Sequence, residues 1–250
     1  MENLKASSSL KEILGLEWSP VGVGLAKRDE NPKDLPLESN RRLRYCQLLM
    51  EAKKGKSATL TAKNIACPAA AAALGLLPLP EKISSGEMLQ TLGLFDSMEA
   101  AARTMAQMPR LAPGEFHSVA AAPLEDAKFR PDVVIIEDKP EKIMWINLAA
   151  IHETGGRLSF SSAVFQACCV DVTVIPYLTK EVNVSLGCYG CRDATDIADD
   201  ECLAGIPFEK LREIVTSLEA LSKKAMPEAR QKSVYNHFIK AQEMHGAVAK

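Results

Sequence analysis

The sequence has no run of about 18 uncharged apolar residues, so no segment is built to cross a bilayer as a helix. Its opening residues, MENLKASSSLKEIL, lack a basic stretch leading into an apolar one, so no secretory leader is expected and the chain reads as cytoplasmic. An excess of charge is missing too. With 30 basic and 32 acidic side chains the net charge is −2, which leaves no field to draw in nucleic acid or an anionic membrane, and neither is expected as a partner. Internal repeats and low-complexity linkers are absent.

Several catalytic signatures are absent as well. No G-x-S-x-G elbow occurs. The zinc-protease pattern H-E-x-x-H fails because His152-Glu153 runs on into Thr154-Gly155-Gly156, and a helix-end role is expected for His152. Gly55-Lys56-Ser57 has Met50 where a phosphate loop needs glycine. Cys191 is followed by Arg192, not histidine, which removes covalent haem attachment. Of the four histidines only His237 and His245 are spaced as neighbours, two turns apart on a terminal helix.

What the chain does have is cysteine: seven residues, five of them between Cys168 and Cys202. In a reducing compartment an odd number of thiols argues against a disulfide framework, leaving core packing, metal ligation or thiol chemistry. Cys168 and Cys169 are adjacent. Cys188-Tyr189-Gly190-Cys191 follows Val182 to Leu186, whose apolar/polar alternation reads as a half-buried strand, and precedes a helix expected from Asp193. A strand feeding a C-x-x-C turn at a helix start sets both thiols on one side of a tight bend. Cys46 belongs on the apolar stripe of a helix over residues 41–54. Cys67, just before Pro68, belongs at the start of an alanine-rich helix ending at Gly75, where a thiolate is favoured and a plain buried residue is the alternative. Cys202 follows an acidic run and is expected to be structural.

The remaining elements alternate irregularly. Helices are expected over residues 10–14, 97–108, 142–152, 163–170 and 208–224, with a further helix over 227–250; strands are expected over 21–26, 56–61, 115–122 and 132–136. Gly22 and Gly24 begin a dinucleotide-like fingerprint, but Lys27 stands where its third glycine belongs, so they are assigned to close backbone packing beside a bound small molecule. This pattern implies an α+β fold, mixed around one sheet-containing core, as a single domain over residues 1–250 with C-terminal helices over 207–250 packed on it.

Leu10 to Leu16, Pro20-Val21-Gly22-Val23, Cys46, Asn64 to Pro68 with Leu74-Gly75, Asn183 to Arg192 and Gly205-Ile206-Pro207 together resemble the domain of unknown function 169 family of archaea and anaerobic bacteria. That resemblance implies one uncharacterised domain in which Cys46, Cys67 and Cys188 match recurring positions, in an anaerobe-type setting that suits an oxygen-sensitive cluster. The leading expectation is a cysteine-ligated iron–sulfur protein, with a four-iron four-sulfur cluster held by Cys67, Cys188 and two of Cys46, Cys168, Cys169 and Cys191. Its role would be electron transfer to a redox partner protein, or a redox step on a small-molecule ligand. The rivals are a small-ligand binding or accessory protein whose cysteines form a zinc site or plain core, and a thiol–disulfide enzyme using Cys188 and Cys191.

Overall fold

The computed structural model describes residues 2–28, 34–163 and 165–229, together with Ile239. In chain order the elements are α1 (Glu2–Leu14), β1 (Val21–Lys27), α2 (Tyr45–Lys53), β2 (Ala58–Thr61), α3 (Pro68–Ala73), α4 (Glu81–Ser84), α5 (Glu87–Thr91) and α6 (Met98–Gln107). There follow β3 (Phe116–Pro123), a 3-10 turn (Leu124–Asp126), β4 (Val133–Asp138), α7 (Pro140–Ala150) and a π-helix (Ala167–Val174). The last are α8 (Ile175–Thr179), β5 (Asn183–Ser185), α9 (Tyr189–Ala194), β6 (Cys202–Pro207), α10 (Phe208–Ser222) and α11 (Ala225–Glu228). Beyond α11 the helix expected to residue 250, with His237 and His245, lies outside the described residues. None of the described helices is long and apolar enough to cross a membrane.

The six strands form one sheet in the order β2-β3-β1-β4-β6-β5, every neighbouring pair antiparallel. This is the expected α+β class. Helices cover both faces, so the central strands are apolar on both sides and read as continuous runs instead of alternating ones. Val133 and Ile135 of β4 face a core built on α2, α3 and the π-helix, whereas Val134 and Ile136 face a second core under α1, α7 and α10. The sheet therefore separates two apolar compartments.

The N-terminal half of the sheet carries Gly22 and Gly24 on the side opposite α2. A Cβ at Gly24 would lie 2.8 Å from the Phe129 ring, and one at Gly22 would lie 3.0 Å from Cγ of Pro131. Both glycines are explained by protein packing. Phe129, Pro131 and Leu124 lie against that face of β1.

β6 follows the acidic run and is not among the strands the sequence leads one to expect. Its residues, CLAGIP, contain glycine and proline, yet the strand sits between β4 and β5 with every residue buried. Gly205 is required there by close approach: a Cβ on it would be only 2.2 Å from the Val172 carbonyl oxygen of the π-helix. Pro207 closes the strand and leads directly into α10, where its missing N–H costs the ladder nothing.

Candidate metal centre

Four separate stretches of chain bring thiols to one end of the first core. Arg44, extended at φ −69° and ψ 150°, precedes α2, and its backbone N–H is taken by the Gln47 side chain at 2.9 Å, which starts the helix so that Cys46 points inward. Cys67 is the last extended residue before Pro68, as the proline ring demands of its neighbour, and stands at the start of α3. Cys188 caps α9: its Sγ accepts the Cys191 N–H at 3.4 Å, and the Cys191 Sγ accepts the Cys188 N–H at 3.0 Å. Helix α9 thus starts inside the C-x-x-C pair, four residues earlier than the sequence suggests.

The fourth stretch is the π-helix. It begins after Gln166, which has φ +57° and ψ 38°, a left-handed conformation that costs a residue with a side chain about 1–2 kcal/mol. Its wide turns let the adjacent Cys168 and Cys169 line the same cavity. π-Helical segments concentrate at functional sites because nothing local favours them. Here tertiary hydrogen bonds hold the segment: Asp171 Oδ2 accepts from Ser185 Oγ at 2.7 Å and Ser162 Oγ at 2.8 Å, and the Asn183 amide donates to the Asp171 carbonyl at 2.8 Å. Thr173 Oγ1 donates to the Cys168 carbonyl at 2.7 Å, so the 2.9 Å contact between Thr173 and Tyr45 has the tyrosine as donor, tying α2 to the π-helix.

These elements enclose a cavity of about 80 Å³ lined by Cys46, Cys67, Cys168, Cys169, Cys188 and Cys191, together with Phe165, Gln166 and the Arg44 side chain among others. Cys67 is the half-exposed thiol; the other five are buried. All six residues that the sequence marks as metal ligands are brought together, and Gly22 and Gly24 are not among the lining residues. Cys202 lies on the other side of the sheet, in the second core, where burial pushes its thiol up to about 11.

The thiols feel one another. Burial pushes Cys46 up to about 12, reinforced by negative charge on Cys191 and Cys67. Cys168 is raised by its hydrogen bond to Cys191 and then by burial, and Cys188 for the same two reasons in the same order; Cys169 is raised by burial and then by Cys67. Cys191 is the exception. Hydrogen bonds from the Cys168 and Cys188 thiols hold it down to about 3. Burial and like charge therefore oppose ionisation of the gathered thiols, an opposition that an entering cation would relieve. Among the described residues no group of three or more His, Cys, Asp or Glu side chains is arranged to hold a single metal ion. The donor set is nonetheless all sulfur, which suits a soft metal or an iron–sulfur group.

The surroundings fix the two cysteine-bearing helices to each other. Arg44 Nη1 donates to the Gly190 carbonyl at 3.2 Å and to Asp193 at 3.3 Å, the Gln47 amide donates to the Ala194 carbonyl at 3.2 Å, and Lys54 pairs with Asp196. Arg192 is spent on three carbonyls, those of Leu186, Ala198 and Glu201, so it shapes the loop after α9 and leaves no fork free for an anion.

Gln166 escapes a reading based on residue type. Its Nε2 donates to the Ala69 carbonyl at 2.8 Å and reaches the Cys169 Sγ at 3.7 Å, while its buried Oε1 has no partner, at a cost of about 1–3 kcal/mol. The one available signal is the polar residues, Gln166, Asp171 and Thr173, set into an otherwise apolar stretch around the vicinal cysteines.

A family model described as an uncharacterised ArCR, domain of unknown function 169, matches residues 9–217, a span that includes all six cavity cysteines. An uncharacterized protein of Methanocaldococcus jannaschii is 29% identical over 220 residues, covering 87% of this chain and 93% of the relative. No solved structure matches this chain.

Proposed function

The chain belongs to the domain of unknown function 169 family, and from that premise we propose that it is an iron–sulfur protein whose cluster occupies the six-cysteine cavity. The observation that carries this reading is that six of the seven cysteines, drawn from four separated stretches of chain, line one cavity with no carboxylate or imidazole among them. Plain core packing calls for no such gathering, since thiols have no mutual affinity that would collect them. An all-sulfur donor set suits an iron–sulfur group.

The cluster is a four-iron four-sulfur type with ligands drawn from Cys46, Cys67, Cys168, Cys169, Cys188 and Cys191. Bound there, it supplies one-electron chemistry. The protein contributes thiolates, the exclusion of water by burial, and the clamp of Arg44 and Gln47 that holds α9 against α2. Its role is electron transfer, or a redox step on a small molecule, inside a reducing cytoplasm, with the electrons exchanged at the edge marked by the half-exposed Cys67.

Protein purified without oxygen and assayed for iron, acid-labile sulfide and zinc, alongside its visible spectrum, tests this. Iron and sulfide in matching amounts with a broad thiolate-to-iron absorption are expected. Stoichiometric zinc would make the site structural. A metal-free protein that resists reconstitution and forms a Cys188–Cys191 disulfide on mild oxidation would instead leave a dithiol enzyme.

A further inference from the structure

We infer that the side-chain amide of Gln166 donates an N–H to the Cys169 sulfur in the cluster-bound protein and thereby raises the cluster's reduction potential; this rests on the iron–sulfur reading above. The geometry assigns the amide unambiguously. A carbonyl can only accept, so the atom 2.8 Å from the Ala69 oxygen is nitrogen, and Gln166 presents Nε2 to the cavity wall. One of the two Nε2 hydrogens serves Ala69; the other is free for the Cys169 Sγ at 3.7 Å. Oε1 has no partner, so the carboxamide is anchored through its nitrogen alone.

The left-handed backbone of Gln166 completes the arrangement. It turns the residue's own carbonyl toward Cys169, whose Sγ–H donates to it at 3.6 Å. Ligation removes that thiol proton and ends the S–H bond. The resulting thiolate is a far better acceptor, and the second N–H on Gln166 stands 3.7 Å from it. Arg110 adds a positive charge within electrostatic reach of the same sulfur. Reduction places extra negative charge on the cluster sulfurs, and a donor aimed at one of them stabilises the reduced state more than the oxidised state. The site is buried, which keeps water from screening the effect.

Cluster-loaded full-length protein and its Gln166→Met variant, similar in volume but without a donor, are titrated electrochemically with the reduced cluster followed by electron paramagnetic resonance. Iron and sulfide are assayed on the same samples. The expected result is full iron in both and a lower midpoint in the variant by about 59 mV, a tenfold shift in a one-electron equilibrium. An unchanged midpoint at full iron content overturns the inference while leaving the cluster standing. Absence of iron and sulfide in both overturns the cluster reading and the inference with it. Should the variant not fold, wild-type protein labelled with 15N at glutamine side-chain amides decides: a 15N coupling to the reduced cluster supports the bond, and its absence refutes it.

Discussion

Gly205→Ala is the sharpest test of how the π-helix is held. The added methyl would sit 2.2 Å from the Val172 oxygen, 2.7 Å from the Val172 carbonyl carbon and 2.8 Å from Cγ of Pro176. Ordinary contact begins at 3.4 Å, so the π-helix and β6 must separate by about 1.2 Å. Neither side can yield cheaply, because β6 is hydrogen-bonded between β4 and β5 and the π-helix is pinned by Ser185 and Asn183 of β5. Overpacking of this kind costs about 1–3 kcal/mol, and backbone on both sides places this case at the upper end, about 3 kcal/mol. For a chain of this size that lowers Tm by roughly 6–12 °C. Thermal unfolding of anaerobic samples, with iron content measured in parallel, should show both falling. The control is Gly190→Ala, whose methyl meets nothing within 4 Å and which should leave Tm unchanged or raise it slightly. Wild-type Tm in Gly205→Ala would refute the account of this contact.

Other outcomes follow from the same geometry. The Glu137 carboxyl, 2 % exposed and paired to Lys53 at 2.9 Å, is pushed up to about 7 by burial and further by Glu201, against the downward pull of Lys53. Because its folded value exceeds its unfolded 4.5, its contribution is complete below pH 4.5 and is lost as pH rises to about 7, an effect of roughly 3 kcal/mol. Urea midpoints at pH 5 and pH 8 should therefore diverge more in the wild type than in Glu201→Gln; equal divergence would remove the carboxyl pair from the explanation. Cys202→Ala should keep full iron, since that thiol lies across the sheet, whereas Cys67→Ala should lose it; iron loss in Cys202→Ala would contradict the site's boundaries. Tyr45→Phe removes the donor to Thr173 and should cost about 1 kcal/mol by chemical denaturation with the protein still folded, and no loss would mean that bond is not made in solution.

Much of this architecture is legible in the residues themselves. The run Val133 to Ile136, the stripe Leu211, Ile214, Leu218 and Leu221, and the Ser97 cap before α6 each announce their element through local chemistry. The six cysteines can be grouped because an odd number of thiols in a reducing setting argues against a disulfide framework and leaves ligation, thiol chemistry or packing to explain them. The misses share a different cause. β6 contains glycine and proline, which break isolated strands, and only the π-helix packed against Gly205 explains why glycine is needed there. The π-helix has no sequence signature of its own, since the bonds that widen it come from Ser162, Asn183 and Ser185, outside the segment. Gly22 and Gly24 are legible as close-packing positions because the third glycine of the nucleotide motif is missing, and they sit on a strand against which a phenylalanine ring lies.

Cys46 and Cys67 are synthesised long before residues 168–191, and β6, which locks between β4 and β5, comes later still. The sulfur-lined cavity is therefore made of long-range contacts that exist only once most of the chain has been released and paired. Until then the early thiols stand apart from their partners. A cluster of the kind proposed would consequently be loaded late, and the interval before β6 docks would be the period in which oxidation of the nascent chain does lasting harm.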